Sequence, residues 1–254
     1  MKASQNPVIP LLVGGLLVVA LVAVFSIVAW VWAVRRPTST EAGQAMQPAP
    51  TQLPPIVYAA IGASDVVGIG ADDPATQSWV NVLQSKMPPD TRLVRLGRSG
   101  ITLSEANKVE VAAAVQAQPD IVTMWNCVND ATRGVSLSAY IKELNQALTR
   151  LVKESKATVV LLNMPDISVQ MLGSPDAQKA LVRGGILQWN QAMSAAAASY
   201  GNRVHIVDLF TVSEEVVEHP EYISPDNFHP STVGYARLAD VVWQMIEDQR
   251  LLDR

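Results

Sequence analysis

Ser224-Pro225-Asp226-Asn227-Phe228-His229-Pro230-Ser231 sets a carboxylate and an imidazole three residues apart, with a proline on either side. The prolines stiffen the segment. Asp226 can then reach His229, fix its tautomer and leave the second ring nitrogen free as a base. The chain has three histidines. His205 falls in an apolar run that reads as a strand and His219 in an acidic stretch, so His229 is the candidate base. A capping Asp followed by an incidental His would give the same local pattern.

Such a base needs a nucleophile and a place for developing charge. Gly62-Ala63-Ser64-Asp65, followed by Gly68 and Gly70, closes an apolar run. Small residues allow a sharp turn that exposes the Ser64 hydroxyl, and a nearby helix N-terminus would add amides and a favourable dipole. An ordinary glycine-rich turn reads the same way. There is no Gly-Lys-Ser/Thr and no full Gly-x-Gly-x-x-Gly, which excludes a nucleotide-phosphate site. Gly97-Arg98-Ser99-Gly100 is a turn whose amides can face a cleft. Trp125-Asn126-Cys127-Val128-Asn129-Asp130 offers side-chain amides to an oxyanion, or caps for the next helix. The single cysteine, Cys127, reads as a small buried apolar residue and rules out an intrachain disulfide.

These segments need elements to hold them. IVYAAI (56–61), RLVRL (92–96), DIVTMW (120–125), ATVVLL (157–162) and RVHIVDL (203–209) are short and apolar on both faces, as a buried parallel sheet requires. Helical stretches follow them, over Thr76–Lys86, Ser104–Ala117, Leu137–Lys153, Asp176–Ser199 and Thr232 to about Leu251, the last with Ser231 as N-cap. Five strand–helix units predict a three-layer α/β/α sandwich with a five-stranded parallel sheet, flavodoxin-like in arrangement. In such sheets ligands bind beyond the carboxyl ends of the strands. The four polar segments all lie there.

The chain is 254 residues long, 49% hydrophobic and 17% charged, with a net charge of −4. Residues 1–53 carry Lys2, Arg35 and Arg36 against Glu41, which leaves the body 16 Lys/Arg against 22 Asp/Glu. An acidic body of this kind excludes the usual basic nucleic-acid binder. Residues 8–34 form 27 consecutive uncharged residues. As a helix they would be about 40 Å long against roughly 30 Å of hydrocarbon, longer than a signal-peptide core, and Trp30 and Trp32 sit where interfacial aromatics belong. A single-pass anchor over 8–34 is expected, after a short tail (1–7) and before a Pro-rich tether (35–55) and the body (56–254). The tether suits a domain held off a membrane surface, expected on the extracytoplasmic side.

Together, in this order, the four segments resemble the GDSL-like, or SGNH, hydrolase family: Gly-x-Ser after the first strand, Ser-Gly after the second, Gly-x-Asn-Asp after the third and Asp-x-x-His-Pro before the last helix. The likeness spans about 56–250. Asp-Asn-Phe-His-Pro-Ser-Thr-Val-Gly-Tyr is its most specific block, and Asn163-Met164-Pro165-Asp166 is similar to a further family feature. The resemblance implies Ser64 as nucleophile, Asp226 and His229 as the rest of a triad, and Gly100 and Asn129 as oxyanion donors beside the Ser64 amide. It implies cleavage of carboxylic esters through an acyl-enzyme, with a small-molecule, lipid or acylated-glycan substrate. No cofactor or metal is implied. An imidazole base gives activity that rises through about pH 6–8. An acyltransferase with the same triad and a non-catalytic tethered binding module are the alternatives. Two positions depart from the family pattern: Ala63 stands where the motif has Asp, with Asp65 after the serine, and Cys127 replaces a glycine.

Overall fold

The computed structural model describes residues 54–171 and 173–253. The expected anchor over 8–34 lies outside the described residues, as does the tether up to residue 53. Among the described residues no helix is long and apolar enough to cross a membrane.

Five strands, β1 (Val57–Gly62), β2 (Arg92–Gly97), β3 (Ile121–Trp125), β4 (Thr158–Leu162) and β5 (Val204–Val207), pair in the order β2-β1-β3-β4-β5. Every pairing is parallel. This is the expected five-stranded sheet. The chain reverses its direction of travel across the sheet between β1 and β3, so their carboxyl ends flank the crevice where such folds bind ligands.

Alternate residues of each strand face opposite layers. Ala59, Ile61, Val122, Met124, Val159 and Leu161 pack under α4 (Leu103–Ala117), α6 (Leu137–Glu154) and α7 (Asp176–Ala198). Tyr58, Ala60, Val160, Leu162 and Val207 pack under α3 (Trp79–Lys86) and α9 (Thr232–Asp248). Helix α6 shows why the layers hold. Its buried Tyr140, Leu144, Ala147, Leu148 and Leu151 recur at helical spacing, and each large one contributes roughly 1.5–3 kcal/mol on burial. That sum exceeds any propensity difference along the helix.

Several boundaries differ from expectation for local reasons. The stretch expected as one helix over 76–86 is two, α2 (Pro74–Gln77) and α3, broken at the extended Ser78 (φ −64°, ψ 148°). Asp73 caps α2 through the Ala75 N–H at 3.1 Å with Pro74 in the first turn, so α2 starts in its own direction. Helix α4 starts at Leu103, not Ser104, because Thr102 and Glu105 form a reciprocal capping box. Strand β5 stops at Val207, since Asp208 accepts from the Phe210 N–H and opens the one-turn α8 (Leu209–Val212). Ser231 caps α9 as expected, accepting from the Gly234 N–H at 3.1 Å.

Candidate active site

Register brings the functional loops level. Gly62 pairs with Gly97 and with Trp125, so the segments after β1, β2 and β3 leave the sheet at one height. After β1 the chain turns into the one-turn α1 (Ser64–Val67). The turn is tight: a Cβ on Gly62 would lie 2.4 Å from Val66 Cγ2. Arg95 of β2 holds the far end of α1, donating to the Val66 carbonyl at 2.7 Å and the Val67 carbonyl at 2.6 Å. These are the carbonyls a helix end leaves without partners.

The loop carrying Asp226 and His229 is closed on itself. Ser224 N–H donates to the His229 carbonyl at 2.9 Å and Ser231 N–H to the Tyr222 carbonyl at 2.8 Å. Asn227 adopts φ 58°, a conformation Asn tolerates, and so turns the chain between the two residues. Asp226 Oδ1 accepts from the Ser224 hydroxyl (2.7 Å) and from the Phe228 and His229 N–H groups (2.8 and 2.9 Å). Its Oδ2 lies 2.6 Å from His229 Nδ1, and His229 Nε2 lies 2.8 Å from Ser64 Oγ. Burial works to raise the Asp226 carboxyl, but the His229, Ser224 and Phe228 donors outweigh it and hold the group far below the usual carboxylate range. It is therefore an anion facing the ring, and Nδ1 carries the shared proton. Nε2 then meets Ser64 as an acceptor.

Asn129, in α5 (Val128–Thr132), lines the same cleft. Its amide donates to the Ile101 carbonyl at 3.0 Å, which fixes the side chain and leaves its second N–H. Asp130 does not cap its own helix but reaches across, accepting from the Leu103 N–H at 2.9 Å. Its carboxyl is pushed up to about 6, chiefly by burial. Gly100 sits in the turn before α4 at φ 75°, where a Cβ would lie 2.9 Å from an Arg133 guanidinium nitrogen. It is not among the residues that line the cleft. Cys127 is buried, and burial first, then the charges of Asp65 and Asp130, push its thiol far up. It packs in the core, as expected of a lone cysteine. His205 and His219 lie elsewhere, on Asn202 and Glu221 respectively.

The cleft encloses about 140 Å³, with Val128, Ile167, Val212, Val216 and Phe228 among its apolar walls. A cavity of roughly this size holds a benzene-sized group. The wall after β4 is pinned: Asn163 accepts from Leu209 N–H (2.7 Å), and Arg183 bridges Asp166 and Glu214 while stacked on Phe210. The Glu215–Arg237 pair, at 2.6 Å, closes the far side of the cleft. Sequence reasoning found the Ser, His, Asp and Asn of this region. It missed Arg95 and Trp79, although an arginine inside the apolar run RLVRL was a visible anomaly.

Residues 60–237 match the GDSL-like lipase/acylhydrolase family. The chain belongs to that family. It is accordingly a hydrolase acting on ester bonds. This acylhydrolase shares its fold with a Clostridium thermocellum family 3 carbohydrate esterase, at 20% identity over 79% of this chain and 100% of that one, with a TM-score of 0.60. It is likewise similar to the enzyme LAE5 from the metagenome of Lake Arreo, Spain (21% identity, 78% and 97% coverage, TM-score 0.61). The lipase/acylhydrolase from Enterococcus faecalis is similar at 18% identity, 76% and 96% coverage and a TM-score of 0.59. No curated protein matches the acylhydrolase.

Proposed function

We propose that the protein is a membrane-anchored serine esterase or lipase working through Ser64, His229 and Asp226. The observation that carries this reading is the unbroken hydrogen-bonded line from Ser64 Oγ through the imidazole to the Asp226 carboxylate. His229 Nε2 takes the Ser64 proton as Oγ attacks the ester carbonyl, and Asp226 stabilises the imidazolium that forms. The oxyanion is met by the Asn129 amide and the Ser64 N–H, both of which face the cleft, whereas Gly100 lies outside its lining and is left without that role. One such donor is worth about 3–4 kcal/mol in the transition state. His229 returns the proton to the departing alcohol, and water attacks the acyl-enzyme with the same base. The apolar walls favour a compact apolar acyl group. The neighbour named as a carbohydrate esterase keeps acylated glycans beside lipids and small esters as substrates. Membrane attachment through 8–34, with the enzymatic domain on the extracytoplasmic side, rests on the uncharged run and the tether.

The test is fluorophosphonate labelling of the full chain in detergent, which reports an activated serine without a matched substrate. Label should appear on the parent and vanish in Ser64→Ala and His229→Ala. Folded parent protein that takes no label refutes the triad. Label that survives Ser64→Ala places the nucleophile elsewhere.

A further inference from the structure

Asp65 follows Ser64 where the family motif would have set its carboxylate one residue before the serine. Its side chain is almost wholly buried at 8% exposure. Both oxygens are engaged by neutral donors: Oδ1 accepts from the Ala63 N–H at 2.9 Å and Oδ2 from the Trp79 indole N–H at 3.1 Å. Ala63 is the residue that sets the turn, with φ −114° and ψ −131°, and Ser64 Oγ projects from the next position. Trp79 opens α3 and is fully buried in the same cluster as Tyr235 and Leu238 of α9. Helix α9 begins directly after His229-Pro230-Ser231. One carboxylate therefore joins the turn that presents Ser64 to the layer that seats His229.

We propose that Asp65 is a positioning residue for Ser64, holding its Oγ against His229 through the Ala63 amide and the Trp79 indole. The inference rests on Ser64 being the nucleophile, as proposed above. The chemistry calls for an acceptor at both oxygens. A neutral amide at this position could take the Ala63 N–H, but its NH₂ would then face the Trp79 N–H, donor against donor. Because a misplacement near 1 Å can slow a reaction by about a hundredfold, the loss should appear in the chemical step and not in substrate binding.

The experiment compares the parent with Asp65→Asn, Asp65→Glu, Trp79→Phe and the double variant Asp65→Asn/Trp79→Phe, all as the full chain in detergent, using p-nitrophenyl butyrate and a fluorophosphonate. Rates are referred to the folded fraction from a melt on the same sample. Asp65→Asn should lower kcat and the labelling rate about 10–100-fold, with KM within threefold of the parent. Trp79→Phe in the Asn background should bring both rates back to within threefold of Trp79→Phe alone, since the opposed donor is gone. Asp65→Glu keeps both acceptors but moves them by one methylene. It should also slow labelling at least tenfold, and it serves should Asp65→Asn not fold. Labelling of folded Asp65→Asn within threefold of the parent, or a loss carried by KM, overturns the proposal. A folded parent that takes no label overturns instead the reading of Ser64 as nucleophile.

Discussion

Glu110 lies on the inward face of α4 and is only 3% exposed, with the Arg98 charge and the Gly62 and Arg98 backbone amides too weakly placed to offset its burial. Burial, reinforced by the nearby Asp65 charge, pushes its carboxyl up to about 8 from an ordinary 4.5. The native state therefore keeps this proton across a range in which the unfolded chain has lost it. Where the native state binds more protons, stability falls as pH rises. The fall begins near the unfolded value of 4.5 and ends near the folded value of about 8. Between pH 4.5 and 7.5 the deficit grows by about 3 kcal/mol, at 1.36 kcal/mol per pH unit over most of that interval. Glu110→Gln is close in shape to the protonated acid and has no proton to lose. Urea unfolding of parent and variant, followed by tryptophan fluorescence, should give a stability difference that moves by about 3 kcal/mol in favour of Gln from pH 4.5 to 7.5. Asp65 and Asp130, both pushed up to about 6, tilt the two proteins alike and drop out of the difference. Parallel pH profiles for parent and variant would refute a buried, protonated Glu110.

Gly234→Ala should cost about 1–3 kcal/mol and loosen the His229 loop, because its Cβ would lie 2.0 Å from the Tyr222 carbonyl oxygen that accepts from Ser231; a lower melting temperature with slower fluorophosphonate labelling checks this. Tyr235→Phe removes the hydroxyl that donates to the Ile69 carbonyl at 2.7 Å, and a loss of about 1 kcal/mol is expected in urea unfolding. Cys127→Ser should destabilise the fold yet leave labelling of the folded protein intact, and native protein should resist thiol reagents, since the thiol is buried and kept protonated. Asn129→Ala should lower kcat about 100–1000-fold on p-nitrophenyl butyrate with little change in KM.

The sheet was readable because its strands are apolar on both faces and run into small or polar residues: VYAAIG closes on Gly62, and Asn126 and Asn163 follow IVTMW and TVVLL. The Ser64, Asn129, Asp226 and His229 loops followed from those ends, since a parallel sheet sends every one of them to the same edge. What escaped had no periodic signal. One-turn helices at 64–67, 128–132 and 209–212 are shorter than a hydrophobic repeat. Ser78 breaks a helix whose pattern is continuous, and the next residue, Trp79, reaches Asp65 across fourteen positions of sequence. Glu110 stands seven residues after Leu103 and four before Ala114 in LSEANKVEVAAAVQA, so the helical repeat sets it on the inward face, and only its charged side chain argues for solvent. Arg95 faces inward onto α1 for a reason only the fold supplies: two carbonyls there need a donor.

Ser64 and His229 stand 165 positions apart in sequence, at opposite ends of the enzymatic domain. At about 5–20 residues per second of synthesis, Ser64 leaves the ribosome roughly 10–30 s ahead of His229, the base proposed for it. Until Asp226 and His229 follow, the nascent chain holds an ordinary alcohol with nothing to take its proton. The order of the chain thus acts as a built-in delay, and a chain arrested before residue 226 should take no fluorophosphonate label.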